Sequence, residues 1–253
     1  MGTVVVLDLY AAGERWPGRF EEAVEAACAV LHRADEVFST WQAGSPVSRL
    51  RRGILPLAEA PPEVAEVLRE CAVARRVSGG WFDPWALPGG VDPTGYVKGW
   101  AAQRALACLR RPDVIGAAVN AAGDIATFGR PDTGDGFRIG IVDPLDTTRI
   151  ACVVDLPHDG TIATSATYER GPHLVDPRTG APGVRLASAS VCGPDLGMAD
   201  ALATALAVAG TGLLSVIEGL DGYEALGIGD DDGWRWTPGF PFVHGSDDTT
   251  APG

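Results

Sequence analysis

The alternation of apolar and polar positions predicts a chain in which strands and helices follow one another. Residues 3–10 alternate as in a strand, and helices are predicted from Phe20, from Pro61 to Gly79 and from about Val97 to Leu109. Strands are predicted at about 113–120, 137–142, 150–155, 161–165, 184–192 and 223–228, with an Ala-rich helix at 199–209 and an apolar segment at 213–220. This order predicts one α+β domain over residues 1–244, with helices packed on mixed sheets, and a disordered tail at 245–253.

Charge and cysteine usage narrow the class of protein. The formal net charge of −13 argues against a nucleic-acid surface and against docking on anionic lipid. No run of 18 apolar residues occurs, so no transmembrane segment is predicted. The first residues lack a basic stretch and include Asp8, and the five cysteines form no C-x-x-C pair. We therefore expect buried free thiols and a cytoplasmic location for the chain as written; a signal peptide removed before residue 1 would change that expectation.

Two rare residue types point to candidate functional positions. Lys98 is the single lysine beside 19 arginines, and Asn120 is the single asparagine. Such a composition is typical of a GC-rich genome, so a retained Lys or Asn is a candidate for a role that Arg or Asp could not fill. Retention by drift is the alternative.

The segment 80–100 combines five aromatic side chains with Asp83, Asp92 and Lys98 where a loop enters a helix. Rings can stack on a planar ligand, and the amides at a helix N-terminus favour anions. The segment therefore suits a planar, phosphate-bearing ligand. The alternative is a Trp-rich loop that packs on its own core.

Asp200 and Thr204 are four residues apart in a helix of small apolar residues, and therefore share one face. A carboxylate and a hydroxyl on such a face suit a hard cation with few protein ligands, as Mg²⁺ is held against phosphates. The alternative makes Asp200 the N-cap of the helix and leaves Thr204 merely buried.

His173 lies close in sequence to Asp176 and Arg178 and could belong to a proton-transfer or phosphate-contacting set. Taken by itself, the segment 176–180 is a plain turn. The motifs of dinucleotide Rossmann folds, P-loops and α/β-hydrolases are absent from the sequence, and the four histidines lack the spacing of a zinc site.

Taken in chain order, these segments resemble the ApbE-type flavin transferases, the FAD:protein FMN transferases. The resemblance spans residues 1 to about 228 and rests on seven motifs: Met1-Gly2-Thr3, Ser39-Thr40-Trp41 with the run 45–50, 80–84, 92–101, 120–125, 164–180 and 199–204. The chain departs from the family in a shortened connection from Asp83 to Asp92, in Trp41 for a usual Tyr, in Ala122 and Ala166 for usual glycines, and in lacking the lipoprotein signal.

The resemblance implies an ApbE-like, T-fold-related domain that transfers FMN from FAD to a Ser or Thr hydroxyl of an acceptor flavoprotein, with Mg²⁺ and release of AMP. It also implies Lys98 as a fixed positive charge and His173 as the general base. The FAD contacts that it implies are Met1, Trp41, Trp81, Phe82, Asp83, Asp92, Lys98 and Val175. The implied Mg²⁺ ligands are Asp200, Thr204 and the carbonyl of Gly95.

Two other functions stay open on the sequence. If water replaces the acceptor hydroxyl, the protein is an FAD pyrophosphatase that yields AMP and FMN. If neither nucleophile is used, it is an FAD-binding protein without turnover. The shortened connection between Asp83 and Asp92 removes part of one wall of the flavin cleft. Because of this and the other departures from the family, we expect FAD binding before we expect transferase activity.

Overall fold

The structure is a computed structural model that describes residues 3–11, 20–87, 89–131, 136–167, 175–230 and 233–243. Its α-helices are α1 (Glu21–Phe38), α2 (Pro46–Arg51), α3 (Pro62–Val77), α4 (Thr94–Cys108), α5 (Leu196–Ala209) and α6 (Leu214–Glu218). Its strands are β1 (Val5–Ala11), β2 (Val114–Ala121), β3 (Asp124–Gly129), β4 (Phe137–Val142), β5 (Ile150–Leu156), β6 (Thr161–Ala166), β7 (Ser188–Gly193), β8 (Glu224–Ile228) and β9 (Trp234–Trp236). The predicted α+β class is confirmed.

Seven strands form one antiparallel sheet in the order β1-β2-β3-β6-β7-β8-β9, and β4 and β5 form a separate hairpin. The tightest connection joins β2 to β3, where Ala121 pairs with Asp124 and only two residues make the turn. Both of them, Ala122 and Gly123, have positive φ, at 50° and 91°. Positive φ at both central residues is the pattern of a type I′ hairpin turn, and the side chain of Asn120 accepts a hydrogen bond from the Gly123 amide at 2.9 Å. This turn fixes where Asp124 begins β3.

Helices α4 and α5 pack against each other and against the middle of the sheet. Two glycines make their close crossing possible. A Cβ on Gly99 would overlap the carbonyl oxygen of Leu196, and one on Gly197 would lie 2.7 Å from the ring of Tyr96. Nearly every residue of α5 is buried, as expected for a helix that is apolar all round and enclosed by a sheet and other helices. The crossing brings Lys98 on α4 close to Asp200 on α5.

The β4–β5 hairpin covers the opposite face of the sheet. The buried side chains of this second core are Ala118, Ile125, Phe137, Ile141, Cys152, Val154, Leu156, Ile162, Cys192, Leu226, Ile228 and Phe240. Burial raises the pKa of the Cys152 thiol to about 12. All five cysteines are free, as expected, and three of them are buried while Cys28 and Cys108 are half-buried.

Most predicted elements are present, but several boundaries were wrong. Helix α4 begins at Thr94 rather than 97, α5 at Leu196 rather than 199, and β7 covers 188–193 rather than 184–192. The side chain of Asp195 accepts from the Met198 amide at 2.7 Å and caps α5. The alternative in which Asp200 is the N-cap is therefore wrong, because Asp200 lies in the second turn of the helix.

The short elements α2, β3 and β9 were not predicted. No helix in the described part of the chain is both long and apolar enough to cross a membrane. The predicted tail, 245–253, and its boundary at residue 244 lie outside the described residues, so both stay predictions.

Candidate functional site

A cleft of about 550 Å³ opens where the loop after α1, the loop before α4, the end of β6 and the buried helix α5 meet. Ten of the residues predicted to form the site lie on its walls: Trp41, Trp81, Phe82, Asp83, Asp92, Gly95, Lys98, Val175, Asp200 and Thr204. The two remaining predicted residues, Met1 and His173, lie outside the described residues. The chain therefore brings together on one surface segments that are more than 160 positions apart in sequence.

One side of the cleft, which we call the charged wall, presents Lys98, Asp200 and Thr204, and Asp124 is buried behind Lys98. The ammonium of Lys98 lies 3.0 Å from Oδ2 of Asp124, whose side chain is completely buried. Neither carboxylate oxygen of Asp124 makes a regular hydrogen bond within the described ranges, so this ion pair is the main compensation for its charge. Burial and the negative charge of Asp200 raise the pKa of Asp124 well above its usual range, and Lys98 opposes that rise.

Asp200 and Thr204 face the N-terminal turn of α4. Oδ2 of Asp200 accepts from the Gly99 amide at 3.4 Å, and in a regular helix that amide bonds to the carbonyl of Gly95. A Cβ on Gly95 would lie 3.5 Å from Oγ1 of Thr204, which shows how closely the backbone of α4 approaches α5. The hydroxyls of Thr204 and Ser165 are 3.3 Å apart. The carboxylate of Asp200 and the hydroxyls of Thr204 and Ser165 thus lie close to the backbone of α4 at Gly95 and Gly99.

These donors fit Mg²⁺, which prefers hard oxygen ligands and usually takes only one or two carboxylates from the protein, with phosphates and water completing its shell. No group of three or more His, Cys, Asp or Glu side chains that could hold a metal occurs among the residues described. The candidate site thus has the donor chemistry of a cation that is shared with a phosphate ligand, and lacks the side-chain cluster of a self-sufficient metal centre.

The opposite side, which we call the aromatic wall, consists of Trp41, Trp81 and Phe82. Trp41 is 95% exposed, whereas Phe82 is buried beneath the cleft. The guanidinium of Arg178 lies 3.5 Å from the ring centroid of Trp81, and that of Arg185 lies 5.1 Å away. Stacked cations of this kind hold an indole in place by cation–π attraction. The aromatic wall therefore offers one fixed ring and one fully accessible ring to a planar ligand.

The two predicted acidic contacts already have protein partners. Oδ2 of Asp83 pairs with Arg75 at 2.6 Å. Asp92 accepts from the amide and the hydroxyl of Thr94, at 3.1 and 2.7 Å, and pairs with Arg51 on α2 at 3.0 Å. The arginine from the unpredicted helix α2 thus holds the shortened loop against the start of α4.

Three residues that the structure places in or beside the cleft were not predicted from the sequence: Arg51, Asp124 and Ser165. Asp124 and Ser165 lie inside the ApbE-like motifs 120–125 and 164–180, and this position could have identified them as candidate site residues. For Arg51 the only local signal was its place after the Ser45 run, since its partner Asp92 is 41 residues away. The stacking of Arg178 on Trp81 depends on the tertiary fold alone.

Comparison with known proteins agrees with this arrangement. The sequence profile of the ApbE family matches the chain in two parts, residues 1–89 and 85–226. The chain belongs to the ApbE family. The two parts meet in the loop before α4, where the sequence analysis found the connection between Asp83 and Asp92 to be shorter than is usual for the family.

Individual members of the family are more distant. The FAD:protein FMN transferase of Rhodobacter capsulatus is 33% identical over 132 residues, which cover 47% of this chain and 24% of that protein. The match therefore spans about a quarter of that relative. The flavin transferase ApbE from Vibrio cholerae has a TM-score of 0.79 at 21% identity and covers 94% of both chains. The ApbE protein from Thermotoga maritima has a TM-score of 0.77 at 20% identity, over 92% of this chain and 93% of its own. These structures show the ApbE fold for this chain.

Proposed function

We propose that the protein transfers FMN from FAD to a Ser or Thr hydroxyl of an acceptor flavoprotein and releases AMP. The observation that carries the proposal is the composition of this cleft in a member of the ApbE family. An aromatic wall for a planar ring system faces a charged wall that combines a lysine with oxygen ligands for a cation. A dinucleotide that carries a flavin at one end and a pyrophosphate in its middle matches both walls.

The two walls divide the recognition of FAD. Trp41 and Trp81 offer stacking surfaces for the isoalloxazine ring, because offset or edge contacts between aromatic planes add to simple burial. Lys98, fixed by Asp124, places a positive charge where the pyrophosphate would lie against the N-terminal turn of α4. Val175 lines the same cleft and supplies an apolar contact.

Asp200, Thr204 and the carbonyl of Gly95 would hold Mg²⁺ beside that pyrophosphate. When bound, the ion offers the charge stabilisation that phosphoryl transfer requires as negative charge develops on the leaving phosphate. Asp200 is only 4% exposed, so its charge would act in a poorly screened environment. Lys98 adds a second fixed positive charge on the same side of the cleft.

The proposed reaction balances as a displacement at phosphorus. The acceptor hydroxyl oxygen forms a bond to the phosphorus that carries riboflavin, the bond from that phosphorus to the bridging oxygen breaks, and AMP leaves with that oxygen. The hydroxyl proton goes to a general base. We assign that role to His173 on the resemblance, and it stays a prediction because His173 lies outside the described residues.

Incubation of the pure protein with FAD and Mg²⁺, with and without a candidate acceptor flavoprotein, tests the proposal. Transfer predicts a fluorescent flavin band on the acceptor in a denaturing gel, together with one AMP for each flavin attached. AMP and free FMN without an acceptor would indicate an FAD pyrophosphatase. Intact bound FAD with and without acceptors of known ApbE-type enzymes would indicate a flavin-binding protein without turnover.

A further inference from the structure

Helix α2 lies at the mouth of the cleft and is joined to two loops that line it. The guanidinium of Arg52 donates to the carbonyl of Ala43, in the loop that carries Trp41. The guanidinium of Arg51 pairs with Asp92 at 3.0 Å, in the loop before α4. Because Trp41 and Asp92 both line the cleft, these contacts fix α2 to its rim.

The sequence around α2 differs in charge from the chain as a whole. Residues 37–58 contain three arginines and neither Asp nor Glu, whereas the chain has a net charge of −13. Arg51 pairs with Asp92, but Arg52 donates to backbone carbonyls, which leave its positive charge in place. Arg49 is exposed and lies three positions before Arg52, and is therefore its neighbour on the surface of α2. Two positive charges thus stand together at the rim.

Exposed apolar side chains accompany these charges. Ile54 and Trp85 are both exposed, and the amide of Ile54 donates to the carbonyl of Arg49 at 2.9 Å. Trp85 directly follows Pro84, which lines the cleft. We call the exposed side chains of Arg49, Arg52, Ile54 and Trp85 the basic rim. Aromatic residues and arginine are enriched where proteins bind one another, so this composition fits a protein partner.

The chemistry of the cleft indicates which partner that is. The hydroxyl that accepts FMN belongs to a protein, and the acceptor chain on either side of it has to cover the mouth of the cleft. Electrostatic attraction fades over about 8 Å at physiological ionic strength, so a partner at the mouth responds to the basic rim more than to distant acids. The net charge of −13 disfavours nucleic acid and anionic lipid as occupants.

We infer that the basic rim is a docking surface for the acceptor protein, and that it selects acceptors whose Ser or Thr is flanked by acidic and apolar side chains. The inference rests on the proposed function, since it assumes that the acceptor hydroxyl enters this cleft. Acidic side chains would pair with Arg49 and Arg52, and apolar ones would pack on Ile54 and Trp85. The competing explanation is that the two arginines contact the phosphates of FAD.

Two fluorescently labelled synthetic peptides test the selection. Both hold a central Thr between Leu residues, and the acidic peptide carries Asp at the flanking positions where the neutral peptide carries Asn. We expect anisotropy titrations to show about fivefold or tighter binding of the acidic peptide at low salt, and a smaller difference at high salt. Without such a surface, a protein of net charge −13 should favour the neutral peptide. Equal affinities, or no binding of either peptide, overturn the inference.

Variants on and away from the basic rim locate the effect. Arg49→Glu reverses a charge at the rim, so it should weaken the acidic peptide by about fivefold or more and leave the neutral peptide unchanged. Arg138→Glu is the matched control, because Arg138 is exposed on β4, in the hairpin on the opposite face of the sheet, and the net charge changes equally. Ile54→Asn should weaken both peptides alike. Equal losses in Arg49→Glu and Arg138→Glu would attribute the effect to net charge and overturn the inference.

FAD titrations separate docking from a role in FAD binding. Saturating FAD should leave the acidic peptide bound, and Arg49→Glu should bind FAD with wild-type affinity, measured by quenching of tryptophan emission. Displacement of the peptide by FAD, or weaker FAD binding in Arg49→Glu, would assign the arginines to FAD and overturn the docking surface. Flavin transfer is measured in a separate assay. Selective peptide binding without transfer to any acceptor would refute the proposed function, whereas transfer with unselective peptide binding would refute only the docking surface.

Discussion

The two walls of the cleft differ in how firmly the protein holds them. On the charged wall, Lys98 and Asp124 are joined by an ion pair in the interior, and Asp200 lies on a helix that is buried on almost every side. On the aromatic wall, Trp41 is 95% exposed and projects from a loop. One wall is fixed by the core of the fold, and the other is held by the guanidinium groups of Arg178 and Arg185 on Trp81.

This difference indicates that the charged wall serves the chemistry, whereas the aromatic wall binds the ring system of the ligand and tolerates small movements. Charges must be placed accurately to stabilise a transition state, and burial in a packed core provides that accuracy. A ring that only stacks tolerates small movements, so an exposed tryptophan is sufficient for it. Substitutions on the charged wall should therefore alter turnover most, and those on the aromatic wall should alter affinity most.

The largest expected effect is at Asp200. Asp200→Asn retains the shape and the side-chain oxygen but loses the charge, and Mg²⁺ is held poorly by neutral sites. We expect flavin transfer to fall by at least about a hundredfold, the scale seen when an electrostatic stabiliser is removed, and to recover in part at high Mg²⁺ or Mn²⁺. Thr204→Val, which deletes only a hydroxyl, should also be folded and inactive. Initial rates at a series of metal concentrations provide the measurement.

The N-cap of the same helix provides the control. Asp195→Asn makes the same chemical change five positions earlier, at the residue that caps α5. Because Asn caps a helix as well as Asp does, this variant should match the wild type in rate and in thermal stability. Wild-type rates in Asp200→Asn at ordinary Mg²⁺ would remove the cation site and the mechanism built on it.

The next effect in size is at Lys98. Lys98→Met keeps most of the apolar stem and removes the charge, so FAD affinity or turnover should fall by about 1.5–3 kcal/mol, the scale of a hydrogen bond to a charged group. Riboflavin lacks the pyrophosphate and should bind the variant and the wild type equally. Titrations of both flavins measure the contrast. An identical loss for FAD and riboflavin would show that Lys98 does not contact the phosphates.

On the aromatic wall we expect a smaller effect, which weakens the binding of FAD and of riboflavin alike. Trp41→Ala should weaken FAD and riboflavin by the same amount, about 0.5–1.5 kcal/mol, because the ring system is common to both. The exposed side chain packs on little, so the thermal midpoint without ligand should not change. Equilibrium dialysis avoids the altered tryptophan signal. A loss confined to FAD would place Trp41 beside the adenosine half of the ligand instead.

The long elements of the fold could be predicted from the sequence, and the short ones could not. The long elements are clear in the hydrophobic pattern, since α1 and α3 carry buried residues at helical spacing. Strand β3 was missed because it follows β2 after only two residues, and the prediction ended at 120. Residues 46–51 are too short for periodicity to reveal α2, although the Ser45 side chain caps it.

For the site, the motifs predicted which residues come together but not what they do to one another. Ten predicted residues share the cleft, yet the partner of Lys98 was not identified, because Asp124 is 26 positions away on a strand that was not predicted. Asp200 was an alternative candidate for the N-cap of α5 because Asp195 and Asp200 are both acidic residues near the start of that helix. Such assignments depend on tertiary geometry, which local patterns do not contain.

The smallest expected effect concerns the turn that leads into the charged wall. Ala122 has a φ of 50°, a conformation that is unfavourable for a residue with a Cβ, and it stands where the family usually has glycine. Ala122→Gly should therefore stabilise the fold by about 0.5–1 kcal/mol. For a chain of this length that is a rise in thermal midpoint of roughly 1–4 °C. Gly123→Ala, at a φ of 91° in the same turn, should lower the midpoint by at least as much. Differential scanning calorimetry of both variants measures the two changes in thermal midpoint.

Because Ala122 lines no part of the cleft among the described residues, FAD affinity should stay at the wild-type value in Ala122→Gly. A stabilised variant with weaker FAD binding would instead show that the strain at Ala122 helps to place Asp124 behind Lys98. In that case, part of the accuracy of the charged wall would depend on a turn that the protein holds in an unfavourable conformation.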